Sequence, residues 1–226
     1  MAGIGRPPPS FRTKRMKDYT HRQKALAYVL AGTAGFVDAM GFRHLGGLFV
    51  SFMSGNTTRF GVDVAMGDWY RAAEIVGIII VFVGGATLGA LIGNEGQRGR
   101  RAAILWTETA LLATAALAGH FSIAVIGTVA MALAMGVENA VFQKNGVPGI
   151  GLTYVTGALV KVGHRLASAL RGGDRWAFLP VLLLWASLCL GALLGAVTYG
   201  AIGLPGLWLA CAVTATLAIA SHERRS

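Results

Sequence analysis

Six apolar runs alternate along the chain with short polar or glycine-rich stretches, near residues 25–43, 72–93, 102–119, 121–142, 178–199 and 204–221. Each is close to the length of about 20 residues that crosses a hydrocarbon core of roughly 30 Å. Two further stretches, 46–66 and 146–168, are half-apolar and rich in Gly, Ser and Thr, with a basic residue, Arg59 and Lys161, at mid-length. This pattern predicts an all-α transmembrane fold: six spanning helices plus two segments that either re-enter or cross as broken helices.

Charge placement arbitrates between those two options. With both segments re-entrant, one side of the membrane receives residues 1–24, the 94–101 loop, Lys144 through Arg175 and the tail. That is 17 of the 20 Lys and Arg, with Arg43, Arg59 and Arg71 opposite. Cytoplasmic loops carry such an excess, so six spans with cytoplasmic N- and C-termini fit better than eight. Full crossings would also carry Arg59 and Lys161 into the membrane.

The chain repeats itself. At an offset of 100, Ala34, Val37, Asp38 and Phe42 fall on Ala134, Val137, Glu138 and Phe142. After a short slip, Ser51, Phe52, Ser54, Gly55, Arg59 and Gly61 fall on Thr153, Tyr154, Thr156, Gly157, Lys161 and Gly163. Gly67-Asp68 matches Gly173-Asp174, and Gly89 and Gly93 match Gly191 and Gly195. The expected organisation is a basic arm (1–24), a first membrane repeat (25–120), a second (121–221) and a tail (222–226). Three spans per repeat is an odd number, so the second copy is expected upside down relative to the first. Inverted repeats with interrupted segments in matching positions point to a secondary transporter with its site near the midplane.

Composition agrees with the membrane. The chain is 54% hydrophobic and 13% charged, about half the usual charge of a soluble domain, and its mean hydropathy is +0.60. Cys189 and Cys211 lie inside apolar runs and read as buried small hydrophobes, neither a disulfide nor a metal site. The net charge of +10 is concentrated in the arm and loops, where orientation and anionic headgroups use it, so no nucleic-acid partner is expected.

Candidate chemistry centres on Asp38 and Glu138, because an acid at membrane depth costs roughly 2.5–3.5 kcal/mol and tends to face a partner or a cavity. Equivalent acids of inverted copies would approach each other, sharing a proton or holding a cation. The other reading is that each caps the broken end of the following helix, whose first amides need acceptors. Ser54, Gly55, Asn56, Thr57 and Arg59 from the first copy, and Asn139, Thr156, Gly157 and Lys161 from the second, complete the candidate substrate- or ion-binding set. Arg59 and Lys161 would pair with the acids or snorkel to the interfaces. Glu108, in WTETALL, has Ala210 as its counterpart and is an asymmetric candidate. The Gly85/Gly89/Gly93 and Ser187/Gly191/Gly195 ladders are faces for close helix packing. No metal-ligand spacing, phosphate loop or nucleophile motif occurs, so neither an enzyme, a metal nor a cofactor is expected.

The motifs AGFVDAMGF with FMSGNTTRFG, and MGVENA with YVTGALVKVG, resemble the YoaK-like family of bacterial inner-membrane proteins over about residues 25–221. The family pattern commonly has Gln where this chain has Glu138. The resemblance implies a polytopic inner-membrane protein thought to move small molecules. The combined expectation is secondary transport of a small solute or ion; a channel-like pore or a membrane-bound adaptor is the alternative. The expected partners are the lipid bilayer and a small-molecule or ion substrate, and a protomer of 226 residues leaves room for a homodimer.

Overall fold

The computed structural model describes residues 20–92, 99–144, 147–148 and 155–222. The expected basic arm lies outside the described residues as far as residue 19, as do the tail beyond His222, Gly93 to Arg98, and residues 149–154 of the second glycine-rich segment. Eight α-helices carry the fold: α1 His21–His44, α2 Met53–Met66, α3 Trp69–Ile92, α4 Arg100–His120, α5 Ala124–Glu138, α6 Val155–Leu170, α7 Leu179–Ile202 and α8 Leu207–His222. A 3₁₀ turn, Leu204–Gly206, precedes α8, and a two-residue antiparallel ladder pairs Gln143–Lys144 with Val147–Pro148.

Local sequence sets the boundaries. Thr20 and Gln23 form a reciprocal capping box, so α1 begins inside what the charge pattern assigns to the arm. At the far end of α2, Gly67 adopts the left-handed conformation (φ 79°) that closes a helix without a Cβ penalty. Five segments are long and apolar enough to cross a membrane: α1, α3, α4, α7, and α8 with its preceding turn. The exception is α5. The run at 121–142 suggests a full span, but α5 has 15 residues and rises about 22 Å. It stops because the backbone tightens into i→i−3 bonds, from Asn139 N–H to the Gly136 carbonyl and from Ala140 N–H to that of Val137.

Each half lends its first helix to the other. Helix α1 packs along α7 and α5 along α3, while α4 joins the halves by lying against both α5 and α8. The two short helices are peripheral, α2 on α3 and α6 on α7. Both long crossings are glycine-mediated. A Cβ on Gly35 would strike the Leu188 carbonyl and Ala192 nitrogen of α7, and one on Gly136 would strike the Phe82 carbonyl and Ala86 nitrogen of α3. In return Gly191 and Gly195 sit on Gly32 and Phe36, and Gly85 and Gly89 on Leu133 and Val137. The described glycines of the ladders read from sequence, Gly85, Gly89, Gly191 and Gly195, therefore do pack helices closely.

Their register corrects the sequence pairing. Gly35 corresponds to Gly136, 101 residues on, and Gly85 and Gly89 to Gly191 and Gly195, 106 residues on. The latter offset is that of Gly67-Asp68 and Gly173-Asp174. Asp38 accordingly matches Asn139, and Glu138 matches Val37. The sequence alignment is one residue out in α5 because Ala134 and Val137 make an attractive match, whereas packing obeys the glycines.

Large apolar side chains left exposed, such as Ile80, Val83, Leu91, Leu190, Leu193 and Val197, line α3 and α7. A sheath of this kind on otherwise well-packed helices is the surface a bilayer covers. The protein is a membrane protein.

Candidate functional site

Asp38 faces the break between α1 and α2. Its carboxylate accepts hydrogen bonds from the amides of Val50 and Ser51, both 2.8 Å, immediately before α2. These amides have no helical partner, and a negative charge at a helix start is favourable. Asn56, fully buried, clamps the same loop from below. Its side-chain oxygen accepts from Phe49 N–H at 2.9 Å and its amide donates to the Phe49 carbonyl at 2.7 Å.

The cations of this region serve carbonyls. Arg59 donates to Gly47 and Arg71 to Leu45 and Gly46, while Arg71 also pairs with Glu74 at 3.0 Å. Gly46 and Gly47 take positive φ (58° and 103°), turning these carbonyls toward the two guanidiniums. A Cβ on Gly55 would collide with the Phe52 ring, which stacks edge-on against Phe49 at 5.2 Å. The polar groups named here each have a structural use, and Arg59 bonds a carbonyl where an acid partner was one expectation.

Glu108 and Glu138 form a different kind of site. Glu108 stands near the middle of α4 and Glu138 is the last residue of α5. They are 0% and 1% exposed, on two helices that pack along each other, and Glu138 lies within the field of Glu108. None of their four carboxylate oxygens has a hydrogen-bond partner among the described residues. The surrounding side chains belong to two apolar clusters, with Leu112, Ala134 and Met135 on one side and Ile104, Leu105 and Val141 on the other. Beside them, Thr109 of α4 donates to the Thr214 hydroxyl of α8 at 2.8 Å. Cys211 of α8 approaches the Thr109 carbonyl at 3.9 Å and lies within the field of Glu108.

The structure thus joins Glu138 to Glu108, where sequence equivalence suggested Asp38. The remaining candidates do not converge on this pair. Ser54, Thr57 and Thr58 lie on the exposed side of α2, the two threonines bonding carbonyls four residues back. Thr156, Gly157 and Lys161 are exposed on α6, which packs on α7. Asn139 donates to the Met135 carbonyl at 2.8 Å and belongs to the turn closing α5. Sequence reasoning placed Thr109 beside Glu108 but missed Thr214 and Cys211, since single small polar residues in apolar helices carry no signal until helices are paired. Arg71 was visible only as a charge.

The family model described as "Protein of unknown function (DUF1275)" matches residues 26–220. The UPF0700 transmembrane protein RA0705 of Rhizobium meliloti (strain 1021) is 36% identical over 200 residues, covering 88% of this chain and 86% of that protein. The UPF0700 transmembrane protein YoaK of Bacillus subtilis (strain 168) is 24% identical over 152 residues, 62% of this chain and 65% of that one. No solved structure matches the chain. The chain belongs to the DUF1275 family of membrane proteins, and the YoaK-like resemblance is correct.

Proposed function

We propose that this protein is a secondary transporter for a small solute, folded as two inverted three-span repeats with the transport site where they meet. The observation that carries the reading is the exchange of first helices, α1 onto α7 and α5 onto α3, with the same glycine contacts in the same order. Two such crossings give an interface along which the halves can rock, and alternating access by rocking repeats needs that architecture. The short helices α2 and α6 follow α1 and α5 after a break, in corresponding places. In this reading α5, extended by its terminal turn, makes the sixth crossing, and both termini lie on the cytoplasmic side of the bacterial inner membrane. The chain's own chemistry is binding and release rather than bond-making.

The test is side-specific labelling of Tyr70→Cys and Trp176→Cys in a Cys189→Ser background. Both positions are exposed and 106 residues apart, the offset of the α3–α7 register. Impermeant maleimide reaching them from opposite faces is the expected result, and labelling from one face would overturn the inversion. Reconstituted vesicles should then take up some member of a broad solute library saturably. Absence of flux across that library would overturn transport.

A further inference from the structure

We propose that Glu108 and Glu138 together form a site for one monovalent cation, a proton or an alkali ion, buried between α4, α5 and α8. Its use as the coupling ion rests on the transporter reading; the binding does not.

The argument begins with what is missing around the pair. Two fully buried carboxylates with four oxygens unpartnered among the described residues are a costly arrangement: an uncompensated buried charge costs several kcal/mol, and two like charges add repulsion. Among the described residues, four cations of the neighbouring segments have partners of their own. Arg59 and Arg71 hold the α1–α2 loop. At the start of α4, Arg100 donates to the Ala140 carbonyl and Arg101 lies over the Phe142 ring. The other titratable groups on packed elements do not help. Cys211 is the one on α8 beside the pair, Asp38 of α1 is turned to its amides, and Glu74 of α3 is held by Arg71. A cation from solution would supply the positive charge that the pair lacks among the described residues.

The donor set selects its type. The carboxylate oxygens, with the Thr109 and Thr214 hydroxyls nearby, are hard oxygen ligands. No third acid, His or Cys completes a metal-binding group among the described residues, whereas a calcium ion wants six to eight oxygens. One positive charge placed between two carboxylates removes their repulsion and gives at least two oxygens a partner. The position suits a coupling ion as well. Glu138 is the last helical residue before the break toward α6, so a movement of that break alters the site directly.

Infrared difference spectroscopy of the full-length protein in lipid nanodiscs tests this with two probes, a pH ramp and sodium added at fixed pH. A carboxyl band that follows pH and ignores sodium identifies a proton site. One that shifts with sodium identifies an alkali-ion site, and either supports the proposal. Glu108→Gln and Glu138→Gln, checked for monodisperse elution, should each abolish the responding band. A band that survives in either variant, or no responding band, overturns the shared site. Should the variants fail to fold, dicyclohexylcarbodiimide labelling of the wild-type protein replaces them. Modification at Glu108 or Glu138, slowed by raised pH or by sodium, supports the site; modification of neither overturns it. A positive band together with failed uptake would remove the transport reading and leave the site standing.

Discussion

Asp38 and Glu138 stand late in α1 and at the end of α5, two helices that fill matching places in the bundle. Asp38 accepts two amides in the loop before α2, whereas Glu138 accepts nothing among the described residues and lies within the field of Glu108. The difference comes from one residue of register. A step of one position turns a side chain about 100° around a helix. Asp38 and its structural counterpart Asn139 therefore look toward the break, while Glu138, like Val37, looks into the bundle. An acid in the first direction is a structural cap, and one in the second is a charge awaiting a partner.

Removing each acid is the sharpest way to break this comparison. Asp38→Ala leaves two loop amides without their acceptor and should cost about 3 kcal/mol, read as a lowered thermal midpoint in detergent. An unchanged midpoint would mean that the cap does not hold the turn. Asn56→Ala strips both partners from Phe49 and should cost about 2 kcal/mol in the same assay; a neutral result would show the Phe49 groups finding water.

The opposite sign is expected on the other side. Glu108→Gln or Glu138→Gln replaces an uncompensated charge by a neutral isostere, so stability should hold or rise by about 1 kcal/mol while ion binding is lost. A fall as large as that of Asp38→Ala would erase the distinction. The smallest effect belongs to the exposed rim of α2. Thr58→Ala removes one local bond to the Ser54 carbonyl and should change stability by less than about 0.5 kcal/mol without touching the ion signal; loss of that signal would return α2 to the site.

Much of this was legible in advance. Hydropathy alone gives the membrane class and the placing of α1, α3, α4, α7 and α8, because a bilayer demands long uninterrupted apolar runs. The repeat gives the glycine ladders and the correspondence of Gly67-Asp68 with Gly173-Asp174. It also offers capping as one of two uses for Asp38, whose carboxylate accepts the loop amides of Val50 and Ser51 just before α2. Misread were the length of α5 and the register by which Glu138 was paired with Asp38. Neither a tightening turn nor a one-residue slip changes hydropathy, so neither leaves a mark in the pattern.

What the sequence determined by itself is thus the solvent this protein lives in and the small residues that let helices touch. The tertiary structure alone decided which acid meets which. Glycine-to-backbone contacts fix helix register to a fraction of a turn, and α4 packs on α5 so that Glu138 falls within the field of Glu108. Composition is a sum over residues, whereas a buried charge is defined by its neighbours, and neighbours exist only once the helices have crossed.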